Sequence, residues 1–144
     1  MAHTPFTGSI PEHLLYCPRH NMWIEALPDG SFRIGATTFG IFLAGEIIAF
    51  TAKPKGAQVD IDRGMGTVEC RKTILAVHAP LSFTLLAGNE DAEERPALIN
   101  KDPYQRGWMA HVEAARWPEE KAQLLDAAAY RAHILKLEPE ARFV

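Results

Sequence analysis

Lys72 stands where a covalent modification would be chemically simple, between two segments, Gly66–Cys70 and Thr73–His78, that both predict strands. Only Arg71 shares the connection with it, so the sequence predicts a β-hairpin with Lys72 at its tip. A lysine in this position projects a primary amine on a flexible stem, and that amine can form a stable amide with a carboxylic acid. Glu69 precedes Lys72 by three residues. The pattern indicates a modifiable lysine, with an ordinary solvated turn lysine as the alternative.

The other residues that could do chemistry form no complete motif. The six histidines lack the H-x-x-x-H and H-x-x-E-H spacings that hold zinc, so the sequence predicts no metal site. Gly64-Met65-Gly66 precedes neither a helix nor a phosphate-binding lysine, and no serine has the surroundings of a hydrolase nucleophile. Cys70 could act as a thiol nucleophile, although a packed strand residue is the more common role. We therefore expect no catalytic residues and no enzymatic activity.

The overall composition is that of a small globular domain. The chain has 144 residues, 47% of them hydrophobic, and its 15 basic and 18 acidic residues give a formal net charge of −3. This length suits one domain over residues 1–144, and the slight acidity disfavours nucleic acid and anionic membranes as partners. No apolar run is long enough to span a membrane. Two cysteines and the lack of a signal-peptide pattern predict a cytoplasmic protein.

The first half of the chain is expected to form short elements, because prolines and turn residues interrupt it repeatedly. A proline followed by aspartate and glycine presets a turn, and a threonine before an apolar run can cap a helix. The predicted elements are an irregular lead-in over residues 1–19, a hairpin of Met22–Ala26 and Ser31–Gly35 around Leu27–Gly30, and a helix capped by Thr37 or Thr38 that runs through Leu43 and ends at Gly45.

The second half is expected to be a series of strands followed by one helix, a spacing typical of a small sandwich or barrel. Besides the two strands of the Lys72 hairpin, the predicted strands are Glu46–Ala52, Gln58–Ile61, Leu81–Leu86 and Gly107–Val112, with one helical turn around Pro96–Ile99. Pro118 and the acidic residues after it predict a C-terminal helix over 118–137. Its predicted apolar face comprises Leu124, Leu125, Ala128, Ala132 and Leu135.

The segment Thr67–Pro80 resembles the lipoyl-lysine hairpin of the glycine cleavage system H protein family. That family has a glutamate, two variable residues and the modified lysine, followed by an Ala-Pro pair, and Glu69, Lys72 and Ala79-Pro80 have this spacing. The other parts of the likeness, in order, are Gly35-Ala36-Thr37, Gly45-Glu46, Pro96–Tyr104, Gly107-Trp108, Leu124–Ala127 and Ala129-Tyr130. The ordered spacing of these pieces makes the resemblance specific.

The resemblance implies a mainly β (α+β) fold, a barrel-sandwich hybrid of lipoyl and biotinyl type with short helices and a C-terminal helix. It implies that lipoic acid is attached to Lys72 through an amide, that Glu69 helps the lipoylating enzyme to recognise that lysine, and that a groove beside the hairpin shelters the loaded arm. The implied partners are a lipoate ligase or transferase, a dihydrolipoamide dehydrogenase and the enzymes that load the arm.

Other carriers and other functions fit the residues around Lys72 less well. Biotinyl domains normally flank the lysine with methionines, and the lipoyl domains of 2-oxoacid dehydrogenases usually place an acidic residue before it; Arg71 and Thr73 are the neighbours here. Cys70 would share a face with Lys72 if the strand continued, so its thiol could exchange with a dithiolane, with simple packing as the alternative. An unmodified interaction module is the alternative of another class.

Several positions depart from the family pattern. Asp62 stands where the family usually has a turn glycine, and aspartate tolerates left-handed backbone better than most residues. Phe83 also replaces a glycine, on a strand expected beside the hairpin. The spacing between His20 and Trp23 is one residue longer than in the family. Lys53-Pro54-Lys55 replaces an acidic, apolar stretch.

These departures favour slightly the lipoate-binding paralogue of bacterial sulfur oxidation, whose client is a heterodisulfide-reductase-like complex. The alternative is an H protein that carries an aminomethyl group between the glycine cleavage P and T proteins.

Overall fold

The computed structural model describes residues 4–144. Its strands are β1 (Thr7–Gly8), β2 (Leu15–Cys17), β3 (Met22–Ala26), β4 (Phe32–Ala36), β5 (Ile47–Ala52), β6 (Gln58–Val59), β7 (Gly64–Cys70), β8 (Ile74–His78), β9 (Phe83–Gly88), β10 (Ala110–Ala114) and β11 (Arg142–Phe143). Its helices are α1 (Thr38–Ala44), α2 (Glu90–Glu94), α3 (Ala97–Lys101), α4 (Trp117–Glu120) and α5 (Ala127–Leu137), with a 3-10 turn at Lys121–Gln123.

Two antiparallel sheets enclose the main core. The larger has the strand order β2-β3-β4-β10-β9-β6, and the smaller has the order β5-β7-β8. Apolar side chains from both sheets, among them Ile24 and Ile34 from one and Phe50 and Val68 from the other, form one buried cluster. The architecture confirms the predicted mainly β barrel-sandwich hybrid with short helices and a C-terminal helix.

The local predictions for the first hairpin and the first helix are confirmed. Strands β3 and β4 pair directly, and Gly30 has the positive φ of 88° that its turn requires. Thr37 is the N-cap of α1, where its side chain accepts a hydrogen bond from the amide of Gly40 at 3.0 Å. Gly45 ends the helix with a φ of 89°.

The prediction of an irregular lead-in over residues 1–19 is wrong for part of that segment, and residues 1–3 lie outside the described part of the chain. Strand β2 lies within it and pairs with β3, while β1 pairs in parallel with β11. Phe6, Leu14 and Tyr16 are buried. Prolines limit the length of an element, but they do not prevent neighbouring residues from pairing or from packing.

The predicted C-terminal helix over 118–137 is two helices with a break between them. The break occurs because the backbone of Leu125 pairs with that of Tyr16, with both hydrogen bonds at 2.8 Å. Asp126 then begins α5 as a new N-cap, accepting from the amide of Ala129 at 2.8 Å. The predicted apolar face is accordingly wrong, since the buried residues of α5 are Ala127, Tyr130 and Ile134.

Other elements differ in their bounds from the sequence prediction. Strand β6 stops at Val59, β9 runs over Phe83–Gly88, and helix α2 was not predicted. Phe83 is 2% exposed and pairs with Val59 and Ala114 within the larger sheet. It therefore does not lie beside the Lys72 hairpin, because β9 and β8 belong to different sheets.

Candidate functional site

The Lys72 hairpin has the two-residue loop predicted from the sequence. The amide of Cys70 donates to the carbonyl of Thr73 at 2.8 Å, and the reverse hydrogen bond is 3.3 Å long. Neither Arg71 nor Lys72 is among the described residues with positive φ, so this turn has no need of glycine. The loop therefore holds a long side chain at its outermost position without backbone strain.

Lys72 is the available cation at this tip. The guanidinium of Arg71 donates to the Glu46 carboxylate from Nη2 at 2.7 Å and from Nε at 3.1 Å. The Lys72 ammonium is exposed and makes no hydrogen bond or ion pair with any other residue of the range 4–144. An unpaired, exposed amine is the arrangement that a modifying enzyme needs.

Glu69 lies on the same end of the hairpin as Lys72. It belongs to β7, where it pairs with Ile74 of β8, and its side chain is exposed. Among the described residues no side chain donates to its carboxylate. The structure thus places both sequence-predicted site residues at one exposed surface.

Cys70 faces the core and not the tip. It is 3% exposed, and burial raises the pKa of its thiol, which keeps the thiol protonated. The shared face predicted for Cys70 and Lys72 does not arise, because the strand ends at Cys70 and Lys72 belongs to the turn. Packing is therefore the role that the structure gives to Cys70.

A groove of about 380 Å³ runs alongside β8, and we call it the β8 groove. Its walls come from α1 on one side and from β8 and β7 on the other, with apolar side chains that include Ile41, Leu43, Ile47, Val68, Leu75 and Met109. Its polar lining residues are Arg19, His20, Asn21 and His78. The volume falls in the range of small-molecule sites, and an apolar groove with a polar end suits a long aliphatic arm.

The polar end of the β8 groove is organised by Asp62, whose φ is 71°. Its Oδ1 atom accepts hydrogen bonds from His20 Nε2 at 2.7 Å and from Arg19 Nη2 at 3.0 Å. The hydrogen bond from His20 and then the contacts with Arg19 hold the pKa of the Asp62 carboxyl below its ordinary value. The ring of His20 in turn stacks on His78 of β8, with centroids 5.1 Å apart. The Asp62 side chain thus links the turn before β7 to residues that line the β8 groove.

Asn21 is a groove residue that sequence reasoning missed. It has a φ of 54°, and its Oδ1 accepts from the Tyr130 hydroxyl at 2.8 Å. Burial raises the pKa of Tyr130, so its hydroxyl stays protonated. Thr37 Oγ1 lies 2.8 Å from the Tyr130 hydroxyl oxygen. This buried chain ties α5 and α1 to the wall of the groove. The sequence feature that could have indicated this role is the asparagine itself, because asparagine tolerates left-handed backbone better than most residues.

Exposed apolar side chains surround the hairpin and the mouth of the groove. Ile74, which pairs with Glu69 in the ladder, is 68% exposed, and Leu75 follows it on β8. Ile48 occupies the bulge of β5 opposite the end of β7, and Leu43 extends from α1. Exposed apolar groups gathered at one surface are typical of a site where partner proteins dock.

A free lysine at the tip of a tight hairpin, on a barrel-sandwich hybrid with an adjoining apolar groove, defines the class of swinging-arm carrier domains. The comparisons with known proteins narrow this class. The family described as Glycine cleavage H-protein matches residues 14–137, and the chain belongs to that family. Members of the family are non-catalytic proteins that carry a lipoyl group on a lysine.

Individual relatives agree with this assignment. The chain is 33% identical over 129 residues to the glycine cleavage system H protein of Mycolicibacterium vanbaalenii, covering 88% of this chain and 98% of that one. It is 38% identical over 121 residues to the glycine cleavage system H protein 5 of Aquifex aeolicus, covering 82% of each. The crystal structure of the H protein from Mycobacterium marinum matches with a TM-score of 0.74 at 29% identity, covering 87% of this chain and 98% of that one.

None of the helices in the described part is long and apolar enough to cross a membrane. Over the same range, no group of three or more histidine, cysteine, aspartate or glutamate side chains is placed to hold a metal ion.

Proposed function

We propose that this protein is a lipoyl carrier of the H-protein type, with lipoic acid attached to Lys72 through an amide. The observation that carries the proposal is the exposed Lys72 amine, which is unpaired within residues 4–144 while the neighbouring Arg71 is held by Glu46. The rigid sheet positions the tip, and the four-carbon stem gives the arm its reach. A tethered group reaches each partner at high effective concentration, which is the physical advantage of a carrier.

The residues around the hairpin fit a lipoyl group. Glu69 gives the lipoylating enzyme a carboxylate beside the target lysine, and the apolar side chains of Ile74 and Leu75 offer it contact area. The β8 groove offers the aliphatic part of the arm a surface away from water. When bound, lipoic acid supplies a disulfide that can be reduced and can carry a transferred group.

The client enzymes follow from the relatives. Their names favour the glycine cleavage system, with its P and T proteins and a dihydrolipoamide dehydrogenase, over the sulfur-oxidation paralogue that the sequence departures suggested. Sulfur oxidation with a heterodisulfide-reductase-like complex stays as a second candidate, because Asp62 and Lys53-Pro54-Lys55 depart from the family pattern. We place either system in the cytoplasm.

Intact mass after co-expression with a lipoate ligase tests the carrier function. We expect one lipoyl increment on the wild-type chain and on Lys53→Arg, a matched control on the exposed loop after β5, and none on Lys72→Arg. Arginine keeps the charge and cannot form the amide. An unmodified wild type, or an increment that persists in Lys72→Arg, would show that the protein is an interaction module or is modified elsewhere.

The recognition role of Glu69 is tested by the initial rate of the same reaction. We expect Glu69→Gln to slow lipoylation about tenfold, since a charged group that guides encounter acts mainly on the association rate. Glu94→Gln, a matched change of an exposed glutamate on α2, should leave the rate unchanged. Equal rates for both variants would remove Glu69 from the site.

A further inference from the structure

The outer face of the smaller sheet is exposed to solvent. In β7 the buried residues Val68 and Cys70 alternate with the exposed residues Thr67 and Glu69, so Glu69 points away from the core. The residues that pair in register with the two exposed positions complete this face, and they are Ala49, Thr51, Ile74 and Ala76. Ala49 is half-buried and the others are exposed. Of these six residues, Glu69 is the one that carries a charge.

Lys53 lies at the other end of the same face. Strand β5 ends at Ala52, and the proline after Lys53 favours an extended backbone, so strand alternation places Lys53 on the same side as Thr51. Its ammonium is exposed and forms no ion pair with another residue of the range 4–144. The nearby Glu93 carboxylate accepts instead from the amide of Ala52 at 2.8 Å. The face therefore has a free carboxylate at the hairpin end and a free cation at the opposite end.

The free edge of β5 is closed, so a partner would meet this face and not extend the sheet. Asn100 Nδ2 donates to the carbonyl of Ile47 at 2.8 Å, and Asn100 Oδ1 accepts from the amide of the same residue at 3.0 Å. Glu93 holds the amide of Ala52 at the other end of the strand. These side chains take the positions that the backbone of an added strand would need. A protein that binds here has to use the side chains of the face.

One protein interface is wide enough to include both charges. Glu69 pairs with Ala49, and Lys53 follows Ala49 by four residues, so the two charged residues lie roughly 13 Å apart along the strand at about 3.3 Å per residue. A standard interface buries about 800 Å² on each partner, which is a disc of roughly 16 Å radius. An interface that includes Glu69 can therefore extend to Lys53 at its rim.

We propose that this face binds the lipoylating enzyme, and that Lys53 orients the domain there by meeting an acidic side chain of that enzyme. The enzyme must take the Lys72 amine into its active site before any arm exists, so it has to contact the body of the domain, whereas a client can reach the tethered arm from farther away. Opposite charges at the two ends favour one orientation on a complementary surface and disfavour the reverse, in which like charges meet. This inference rests on the proposed lipoylation of Lys72 and specifies the surface that is recognised.

Steady-state lipoylation by the lipoate ligase or transferase of the same organism, with the unmodified carrier as the varied substrate, tests the inference. We expect Lys53→Glu to raise the KM for the carrier about fivefold and to leave kcat unchanged, because a charge at the rim acts mainly on association. Lys53→Arg keeps the charge and should retain the wild-type KM. Lys136→Glu, the same change at an exposed residue of α5, has the same net charge as Lys53→Glu and should also match wild type.

The salt dependence of the KM gives a second readout, because added ions screen an exposed charge pair. Raising the ionic strength should reduce the difference in KM between wild type and Lys53→Glu. Equal KM values for these two proteins at low salt, or an equal rise in Lys136→Glu, would overturn the inference. A wild-type chain that the enzyme does not modify at all would instead overturn the proposed function.

Discussion

The β3–β4 and β7–β8 hairpins are held together in different ways. In the β3–β4 turn, Asp29 Oδ1 accepts from both the amide and the hydroxyl of Ser31, at 3.0 and 2.5 Å, and His111 Nε2 lies 2.8 Å from that hydroxyl. In the β7–β8 turn, the side-chain contacts are the exposed ion pair of Arg71 with Glu46 and a 3.4 Å hydrogen bond from the Thr73 hydroxyl to the carbonyl of Ile74. One turn is held by a network of side chains, and the other is held mainly by its backbone.

The two hairpins also differ in which of their side chains are buried and which are exposed. The β3–β4 hairpin carries Trp23, which is fully buried and donates from Nε1 to the carbonyl of Pro103 at 3.0 Å. The β7–β8 hairpin leaves Ile74, Leu75 and Lys72 exposed. The first hairpin therefore contributes stability, whereas the second presents groups to other molecules. Substitutions should affect unfolding in the first and recognition in the second.

The largest expected effect on stability is at Gly35, which faces Trp23 across the β3–β4 ladder. A Cβ atom at this position would lie 2.6 Å from the indole ring, which is fully buried. We expect Gly35→Ala to lower the free energy of unfolding by about 1–3 kcal/mol, the usual cost of overpacking. Urea denaturation measures the loss, with Ala76→Gly on the exposed face of β8 for comparison. A loss below about 0.5 kcal/mol would show that the two hairpins do not differ as described.

A smaller loss is expected at Ser31. Ser31→Ala removes the hydroxyl that joins Asp29 and His111, and Ser31 is nearly buried. We expect the free energy of unfolding to fall by about 1 kcal/mol, the net value of a typical hydrogen bond. Thr73→Ala, the matched hydroxyl deletion in the β7–β8 turn, should cost much less, because the Thr73 hydroxyl makes a single bond of 3.4 Å. Equal losses in the two turns would contradict the comparison.

Asp62, in the turn before β7, combines a strained backbone with a side-chain network. Asp62→Ala keeps the positive φ and loses the bonds to Arg19 and His20, so we expect it to destabilise the fold by about 1 kcal/mol. Asp62→Gly relieves the backbone and should be close to wild type. Thermal or urea unfolding ranks the variants, and a glycine variant less stable than the alanine variant would be incompatible with this explanation.

The same carboxylate gives a pH dependence with a defined sign. Because the pKa of Asp62 is lower in the folded protein than in the unfolded chain, its stabilisation is present above the unfolded value, about 3.9, and is lost as the pH falls through the folded value. The group is half-exposed, so the effect should stay below about 1 kcal/mol. Below pH 4, wild type should lose more stability than Asp62→Asn in parallel unfolding measurements. A parallel loss in the two proteins would exclude this role.

The smallest expected effect is at Arg71. Its ion pair with Glu46 is highly exposed, so Arg71→Ala should change the free energy of unfolding by less than about 0.5 kcal/mol. The Lys72 side chain stays available, and lipoylation measured by intact mass should still go to completion. Failure of lipoylation in this well-folded variant would show that the tip needs more than an accessible lysine.

The hairpins, the capped helix α1 and the family could be predicted because their signals are local. Pro28 and Gly30 specify a turn, Thr37 specifies a cap, and the spacing of Glu69, Lys72 and Ala79-Pro80 is a property of the chain alone. The expected helix start is also confirmed, since Glu119 and Glu120 lie in the first turn of α4. The burial of the Glu120 carboxylate, which accepts from the amide and hydroxyl of Ser82, both at 2.7 Å, was not predicted.

The features of the candidate site also divide into those that local sequence predicts and those that depend on tertiary packing. Sequence by itself determined that Lys72 stands at a hairpin tip with Glu69 beside it, because turn geometry and strand alternation depend on neighbouring residues. Only the tertiary structure decided that Cys70 faces the core, that Leu125 pairs with Tyr16 and interrupts the last helix, and that Asp62 meets His20. These outcomes join residues far apart in the chain, and their energies depend on burial and on contacts that exist only once the two sheets have packed.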